Sequence, residues 1–319
     1  MKKIGCAGIL VADTFCGPMA ALPRPGSLLA VDSLPSMAGG CAANVAVDLV
    51  RQGLEADIAG CVGEDAAAEM VRRYLAEHGV GLSGLRTTPE WPTSQTVILL
   101  VEGEDRRYIH LFGANSAFSS LSEEWLSGLD VLYVGGMYAL PGFSPKQLGE
   151  ALRFCRRRGI ISVVDVVISS GNRPDAGLSE WLPYADWFLP NNDEAELLTG
   201  VSETGAQLEA MAALGARGVV VTRGADGLAV LAEGRTWEAT AHRLGPCVDP
   251  SGAGDAFTAG WIAGLARNLD IPDRIAYGAA LGYSATQAVG TTAGVFTAAE
   301  AEAFMRGHGL EIREGSRKG

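Results

Sequence analysis

Residues 249–257 read Asp-Pro-Ser-Gly-Ala-Gly-Asp-Ala-Phe and set a carboxylate directly after a run of small residues. Pro250 ends a strand-like approach, and Gly252, Ala253 and Gly254 lead into a helix expected to begin near Asp255. Small residues let backbone come close to a ligand, and a helix start points unpaired N–H groups at whatever sits there. The helix dipole adds about half a positive charge. Such a place suits an anion, phosphate above all. Asp255 is poorly placed to bind phosphate itself and well placed to orient a hydroxyl that attacks phosphate. The dipole is expected to keep Asp255 ionised and so a weak base. Taken alone, the run is equally a tight turn with Asp255 as a helix N-cap, because Asp is a favoured cap.

Three other clusters carry groups of the right type. Gly39 and Gly40 precede a helix of small residues with Asn44 on its first turn. Asn44 offers both a donor and an acceptor, which suits a polyhydroxylated ligand. Asp13 follows the first strand, at the end where open α/β sheets bind ligands. A carboxylate there can accept two sugar hydroxyls. Asn191 and Glu194 follow a short strand at Trp187–Leu189, and their spacing of three lets one turn aim both the same way. They would hold a hydrated Mg²⁺, which prefers oxygens and keeps waters, or they simply cap a helix. Thr222, Gly224 and Gly227 close a buried strand and would let a nucleotide lie across it, or form a glycine-rich hairpin.

The elements that must position these groups alternate. Strand-like runs at Ile4–Leu10, Asp57–Val62, Val131–Val134, Ile160–Val166, Trp187–Leu189 and Gly218–Thr222 are interleaved with helix-like segments. Helices are expected at Ala42–Gln52, Asp65–His78, Pro145–Arg158, Glu194–Leu198, Ala206–Leu214, Asp255–Arg267, Pro272–Val289 and Thr297–Met305. Apolar strands between helices predict an α/β fold with a mainly parallel sheet covered on both faces. Residues 11–37 and 94–113 break the alternation and predict a small β-sheet projecting as a lid. A single domain is expected over 1–312, with 313–319 a disordered tail.

Composition narrows the classes. The chain has 319 residues and a formal net charge of −12, which argues against nucleic acid or an anionic membrane as partner. Its six cysteines show no metal or redox spacing and suit a reducing, cytoplasmic setting. No lysine follows a glycine in a phosphate-binding loop of the Walker type, and no histidine adjoins a nucleophile motif. Gly79-Val80-Gly81-Leu82-Ser83-Gly84 fits the dinucleotide fingerprint literally but follows a helix, so a nicotinamide-dependent oxidoreductase is disfavoured.

In order and spacing, Gly39-Gly40 with Asn44, Pro190-Asn191-x-x-Glu194, Thr222-x-Gly224 and Asp249 through Phe257 resemble the motifs of the ribokinase-like, or PfkB, carbohydrate kinases. Val62-Gly63-Glu64-Asp65 and Gly113-Ala114-Asn115 fit common family positions. The resemblance implies transfer of the ATP γ-phosphoryl to an alcohol. It implies Asp255 as base, the amides of Gly252, Ala253 and Gly254 as anion hole, and Asn191 and Glu194 as organisers of Mg²⁺ and phosphates. Asp13, Gly39, Gly40 and Asn44 would hold the acceptor, and Asp249 would help bind a monovalent cation such as K⁺. It also allows a homodimer through the lid.

Departures limit the substrate. Pro250-Ser251 replaces the usual Thr-Thr, and Val11 and Cys41 replace the usual Asn and Lys. Gly135-Gly136 stands where ribose kinases carry a carboxylate, which implies a less polar pocket lined by Met137, Tyr138 and Leu140. Arg106 and Arg107 fall on the lid hairpin, in an exposed turn or facing a phosphosugar. A nucleoside kinase of the same fold and a catalytically silent sugar- or nucleotide-binding regulator are the alternatives.

Overall fold

The computed structural model describes residues 2–104, 106–168 and 177–316. The first half runs β1 (Lys3–Gly8), β2 (Val11–Met19), β3 (Ser36–Gly39), α1 (Cys41–Arg51), β4 (Glu55–Val62), α2 (Ala66–Glu77), β5 (Gly81–Thr87), β6 (Gln95–Val101) and β7 (Arg107–Leu111). It continues through α3 (Glu123–Ser127), β8 (Val131–Gly135), α4 (Pro145–Arg158), β9 (Ile161–Val164), α5 (Leu178–Trp181), β10 (Trp187–Phe188), α6 (Asn192–Thr199) and α7 (Thr204–Ala213). The last part is β11 (Gly218–Thr222), β12 (Leu228–Ala232), β13 (Arg235–Ala239), α8 (Ala253–Ala266), α9 (Ile271–Ala285), α10 (Ala298–Gly307) and β14 (Ile312–Ser316).

The main sheet has ten strands in the order β14-β13-β12-β11-β10-β9-β8-β1-β4-β5. Pairing is parallel from β11 to β5 and antiparallel from β11 through β14. Alternate residues of the inner strands face opposite cores, as the pleat requires. Val131 and Tyr133 of β8 face the core under α1, α8 and α9, whereas Leu132 and Val134 face the one under α4 and α7. Sheathing on both faces explains why these strands are continuously apolar.

A separate four-stranded sheet, β3-β2-β6-β7, forms from the two segments that broke the alternation. Asn115 ties it to the main sheet: its Oδ1 accepts from the Leu10 amide and its Nδ2 donates to the Leu10 carbonyl, both at 3.1 Å. Asp65 ties the other root, capping α2 through the Ala68 amide and accepting from Thr93.

The rejected dinucleotide reading of Gly79–Gly84 stays rejected: Gly81 to Gly84 open β5, an edge strand, where Ala59, Gly60, Cys61 and Val62 of β4 pair with Gly84 through Thr87. Two expectations change. Residues 313–316 are not a disordered tail: they belong to β14, paired antiparallel with β13, and residues 317–319 lie outside the described ones. Met137 and Leu140, expected to line the acceptor pocket, are buried core residues beneath α4. No helix among the described residues is long and apolar enough to cross a membrane.

Candidate active site

Helix α8 begins where backbone sterics allow nothing but glycine. Gly252 is its N-cap in the left-handed conformation (φ 76°), and a Cβ there would lie 2.0 Å from the Thr291 carbonyl oxygen. Asp255 is therefore not the cap; it sits in the first turn. The Ala253 amide donates to the Pro250 carbonyl at 3.3 Å and the Ala256 amide to Gly252 at 2.8 Å. That leaves the Gly254 and Asp255 amides without a carbonyl partner among the described residues. Gly254 also has open space around its Cα. The helix start thus presents bare N–H groups, the arrangement that receives an anion.

Asp255 turns to the other side. Its Oδ2 accepts from Asn44 Nδ2 at 2.7 Å, and the Cys41 thiol donates to it as well. Both partners come from the first turn of α1, which enters through Gly40 (φ 88°), where a Cβ would meet the Ile9 carbonyl oxygen at 2.5 Å. Burial raises the Asp255 pKa, opposed by those two hydrogen bonds. Desolvation, and not the dipole, therefore sets the direction, and Asp255 is a stronger base than its place at a helix start suggests.

Asp13 lies on β2, paired with Thr96 of β6, and burial pushes its pKa to about 6 against a hydrogen bond from the Thr96 side chain. The β2–β3 pairing brings Gly39 so close that a Cβ on it would lie 1.8 Å from Asp13 Oδ2. The glycine is what makes room for that carboxylate.

Asp165, hidden in sequence inside the apolar run Val163-Val164-Asp165-Val166-Val167, completes this side. It follows β9, is buried, accepts from the Gly136 amide at 2.6 Å, and takes a hydrogen bond from the Tyr133 hydroxyl. Polar atoms of Cys41, Asp165 and Asp255 lie within 4.8 Å of one another. The floor expected to be less polar, after Gly135-Gly136, has its carboxylate supplied from the neighbouring strand. A polar residue just past the carboxyl end of an internal strand was the available signal.

Across the start of α8 lies a cavity of about 490 Å³ lined by Thr222, Gly224, Gly227, Gly254, His242 and Tyr283, among others. Asn191 pairs with Thr222 beside it. Asn191 and Glu194 form a capping box on α6: Asn191 Oδ1 accepts from the Glu194 amide at 2.9 Å and Glu194 Oε2 from the Asn191 amide at 3.0 Å. Burial raises Glu194 to about 7, with the Asp193 and Asp255 charges adding to it. The remaining oxygen, Oε1, takes no hydrogen bond among the described residues.

Asp249 is buried and its carboxylate is already taken up. Oδ1 accepts from the Ser251 amide at 2.9 Å and the Ser251 hydroxyl at 2.7 Å, and Oδ2 from the Gly290 amide at 2.9 Å. Arg106 completes the set from the small sheet, 3.5 Å from Oδ1. A monovalent cation does not fit these residues as they stand. Arg106 is thus not part of an exposed turn, and Arg107 opens β7 with its side chain exposed and paired with Glu104.

Residues 1–298 match the pfkB family of carbohydrate kinases. The chain is 26% identical over 292 residues to a ribokinase of Haemophilus influenzae, covering 88% of this chain and 92% of that one. It is 24% identical over 276 residues to a nucleoside kinase of Methanocaldococcus jannaschii, covering 85% and 86% respectively. An Arabidopsis thaliana ribokinase complexed with ribose and ATP superposes with a TM-score of 0.83 at 22% identity, covering 96% of this chain and 99% of that one.

Proposed function

This chain belongs to the pfkB family of carbohydrate kinases, and from that premise we propose that it moves the γ-phosphoryl of ATP to a hydroxyl of a sugar or sugar-like alcohol. One arrangement carries the proposal: bare amides at the start of α8 adjoin the cavity, while Asp255 in the same turn is gripped by Asn44 on the opposite side. An anion and an alcohol meet at that turn.

In this scheme the Asp255 carboxylate takes the proton of the acceptor hydroxyl. The acceptor oxygen forms a bond to Pγ, and the Pγ–O bond to the leaving ADP breaks with its electron pair on ADP. A loose transition state needs positioning and charge stabilisation more than a strong base. The turn from Gly252 to Gly254 forms the anion hole, with the Gly254 and Asp255 amides the open donors and the Ala253 amide spent on the Pro250 carbonyl. Asp13, Gly39, Gly40 and Asn44 hold the acceptor. Thr222, Gly224 and Gly227 flank the nucleotide, which fits the cavity they line.

Mg²⁺ fits as well, because the half-buried Glu194 offers a carboxylate oxygen that takes no hydrogen bond among the described residues, and it would neutralise charge on the phosphates. Asn191 holds Glu194 in that position. K⁺ has no role in the scheme, since Asp249 spends its oxygens on protein donors.

The acceptor is a polyol more readily than a purine nucleoside, since Asp13, Asn44 and Asp165 give its side of the site a polar character. The small sheet serves as the lid, inserted in a single domain. Exposed Tyr108, Ile109 and Leu111 on β7 favour a homodimer through it. Six free cysteines favour a cytoplasmic setting.

ATP consumption measured against a panel of sugars, phosphosugars and nucleosides tests the proposal. ADP formation that depends on one sugar class is the expected result. Saturable sugar binding with no turnover points instead to a regulator, and turnover with nucleosides alone to the nucleoside kinase.

A further inference from the structure

Arg106 precedes β7 on the hairpin of the small sheet, yet its side chain reaches the main domain. Its Nη1 donates to Ser251 Oγ at 2.5 Å and lies 3.5 Å from Asp249 Oδ1, and its side chain is 19% exposed. Its guanidinium carbon lies 5.8 Å from the centre of the Tyr108 ring, which lends it a second, weaker contact. Ser251 directly precedes the glycine that caps α8. The charge therefore stands at the edge of the anion hole, although the residue comes from the hairpin of the small sheet.

Asp249 explains why a cation is needed there. A buried carboxylate surrounded only by amides and a hydroxyl brings a full negative charge next to the place where phosphoryl charge develops. That charge must be offset, because unpaired buried charge is costly and would oppose an incoming polyphosphate. Arg106 is the cation paired with Asp249 among the described residues. Guanidinium is always charged and presents several donors in a fixed fork, so one such group can hold Ser251 and Asp249 together.

We propose that Arg106 is the resident cation of the anion hole, delivered by the lid hairpin, and that it takes the place a bound monovalent cation would fill. This rests on the phosphotransfer proposed above. Two consequences distinguish it from a structural ion pair. Turnover is independent of which monovalent cation is in the buffer. The charge reaches the anion hole only when the hairpin lies against the Pro250–Gly252 loop, so that closure and activation are one event.

The test compares wild type, Arg106→Ala and Arg106→Lys with K⁺, Na⁺ or choline as the sole monovalent cation. Wild type is expected to keep the same rate in all three. Arg106→Ala is expected to lose roughly 10²–10³-fold in kcat, the range for one anion-hole donor, and to regain a good part of it with added guanidinium. Arg106→Lys keeps a cation and is expected to fall between the two. A wild type that requires K⁺, or an Arg106→Ala variant as fast as wild type, overturns the proposal and leaves phosphotransfer standing. If no acceptor supports turnover in any salt, phosphotransfer is what fails. The proposal is then decided by the thermal shift that Mg-ATP produces. A wild-type shift equal in K⁺ and choline and reduced in Arg106→Ala supports it, and a shift that needs K⁺ or is unchanged in the variant overturns it.

Discussion

Asn44 donates its Nδ2 to Asp255 Oδ2 at 2.7 Å, joining the first turns of two helices 211 positions apart in the chain. The contact sets which way the carboxylate faces and helps keep it ionised against burial. A hydrogen bond to a charged group contributes about 1.5–3 kcal/mol. Asn44→Ala should therefore lower kcat/KM for the acceptor roughly 10- to 150-fold while leaving ATP affinity unchanged. Steady-state kinetics with each substrate varied in turn checks the split.

Gly39 and Asp13 are in conflict with any side chain at position 39, since a Cβ would lie 1.8 Å from Asp13 Oδ2. Gly39→Ala should displace that carboxylate and raise the acceptor KM by roughly tenfold or more, the loss of one charged hydrogen bond, without a comparable change in the KM for ATP. An equal effect on both substrates would place Asp13 outside the acceptor site.

Activity should fall as pH drops through 7 and 6. Burial raises Asp13 to about 6 and Glu194 to about 7, and it raises Asp255 as well. Each is needed as a carboxylate, and a raised pKa means protonation begins at higher pH than for an exposed carboxyl group. A kcat/KM profile from pH 5 to 8 should show this acid limb, and Asp13→Asn should remove one of its ionisations at the cost of a lower plateau.

Asp48, one helical turn beyond Asn44, is fully buried with neither carboxylate oxygen hydrogen-bonded among the described residues. Burial raises its pKa well above the ordinary value, against the lowering pull of Arg51. The folded state thus binds the proton more tightly than the unfolded one. Its contribution is present below the unfolded pKa, about 3.9, and stability is lost as pH rises from there through the folded pKa. Asp48→Leu should stabilise the protein by roughly 1–3 kcal/mol at pH 8, and by less at pH 5. Urea unfolding at both values measures the difference.

The parallel strands and their helices were legible because buried parallel strands are apolar throughout and alternate with helix-like segments; the structure shows α2 and α4 capped by Asp65 and Ser144. The small sheet was legible from proline, glycine and the Thr96–Phe112 hairpin. β5 and β14 were not, because both are exposed edge strands whose pairing is decided by β4 and β13 and not by their own pattern. Within the site, glycines marked the close approaches at 39, 40 and 252. Asp165 escaped notice because it reads as an interruption of an apolar strand, and the contact of Arg106 with Ser251 spans 145 positions that no local pattern connects.

The most direct test is the turnover of Asp255→Asn with an acceptor that wild type phosphorylates. The substitution keeps the size and the hydrogen-bonding reach of the side chain and removes the base. A fall in kcat of roughly 10²–10⁴, with ATP binding retained, is the predicted result. Turnover close to that of wild type would contradict the assignment of Asp255 and with it the proposed chemistry of the α8 start.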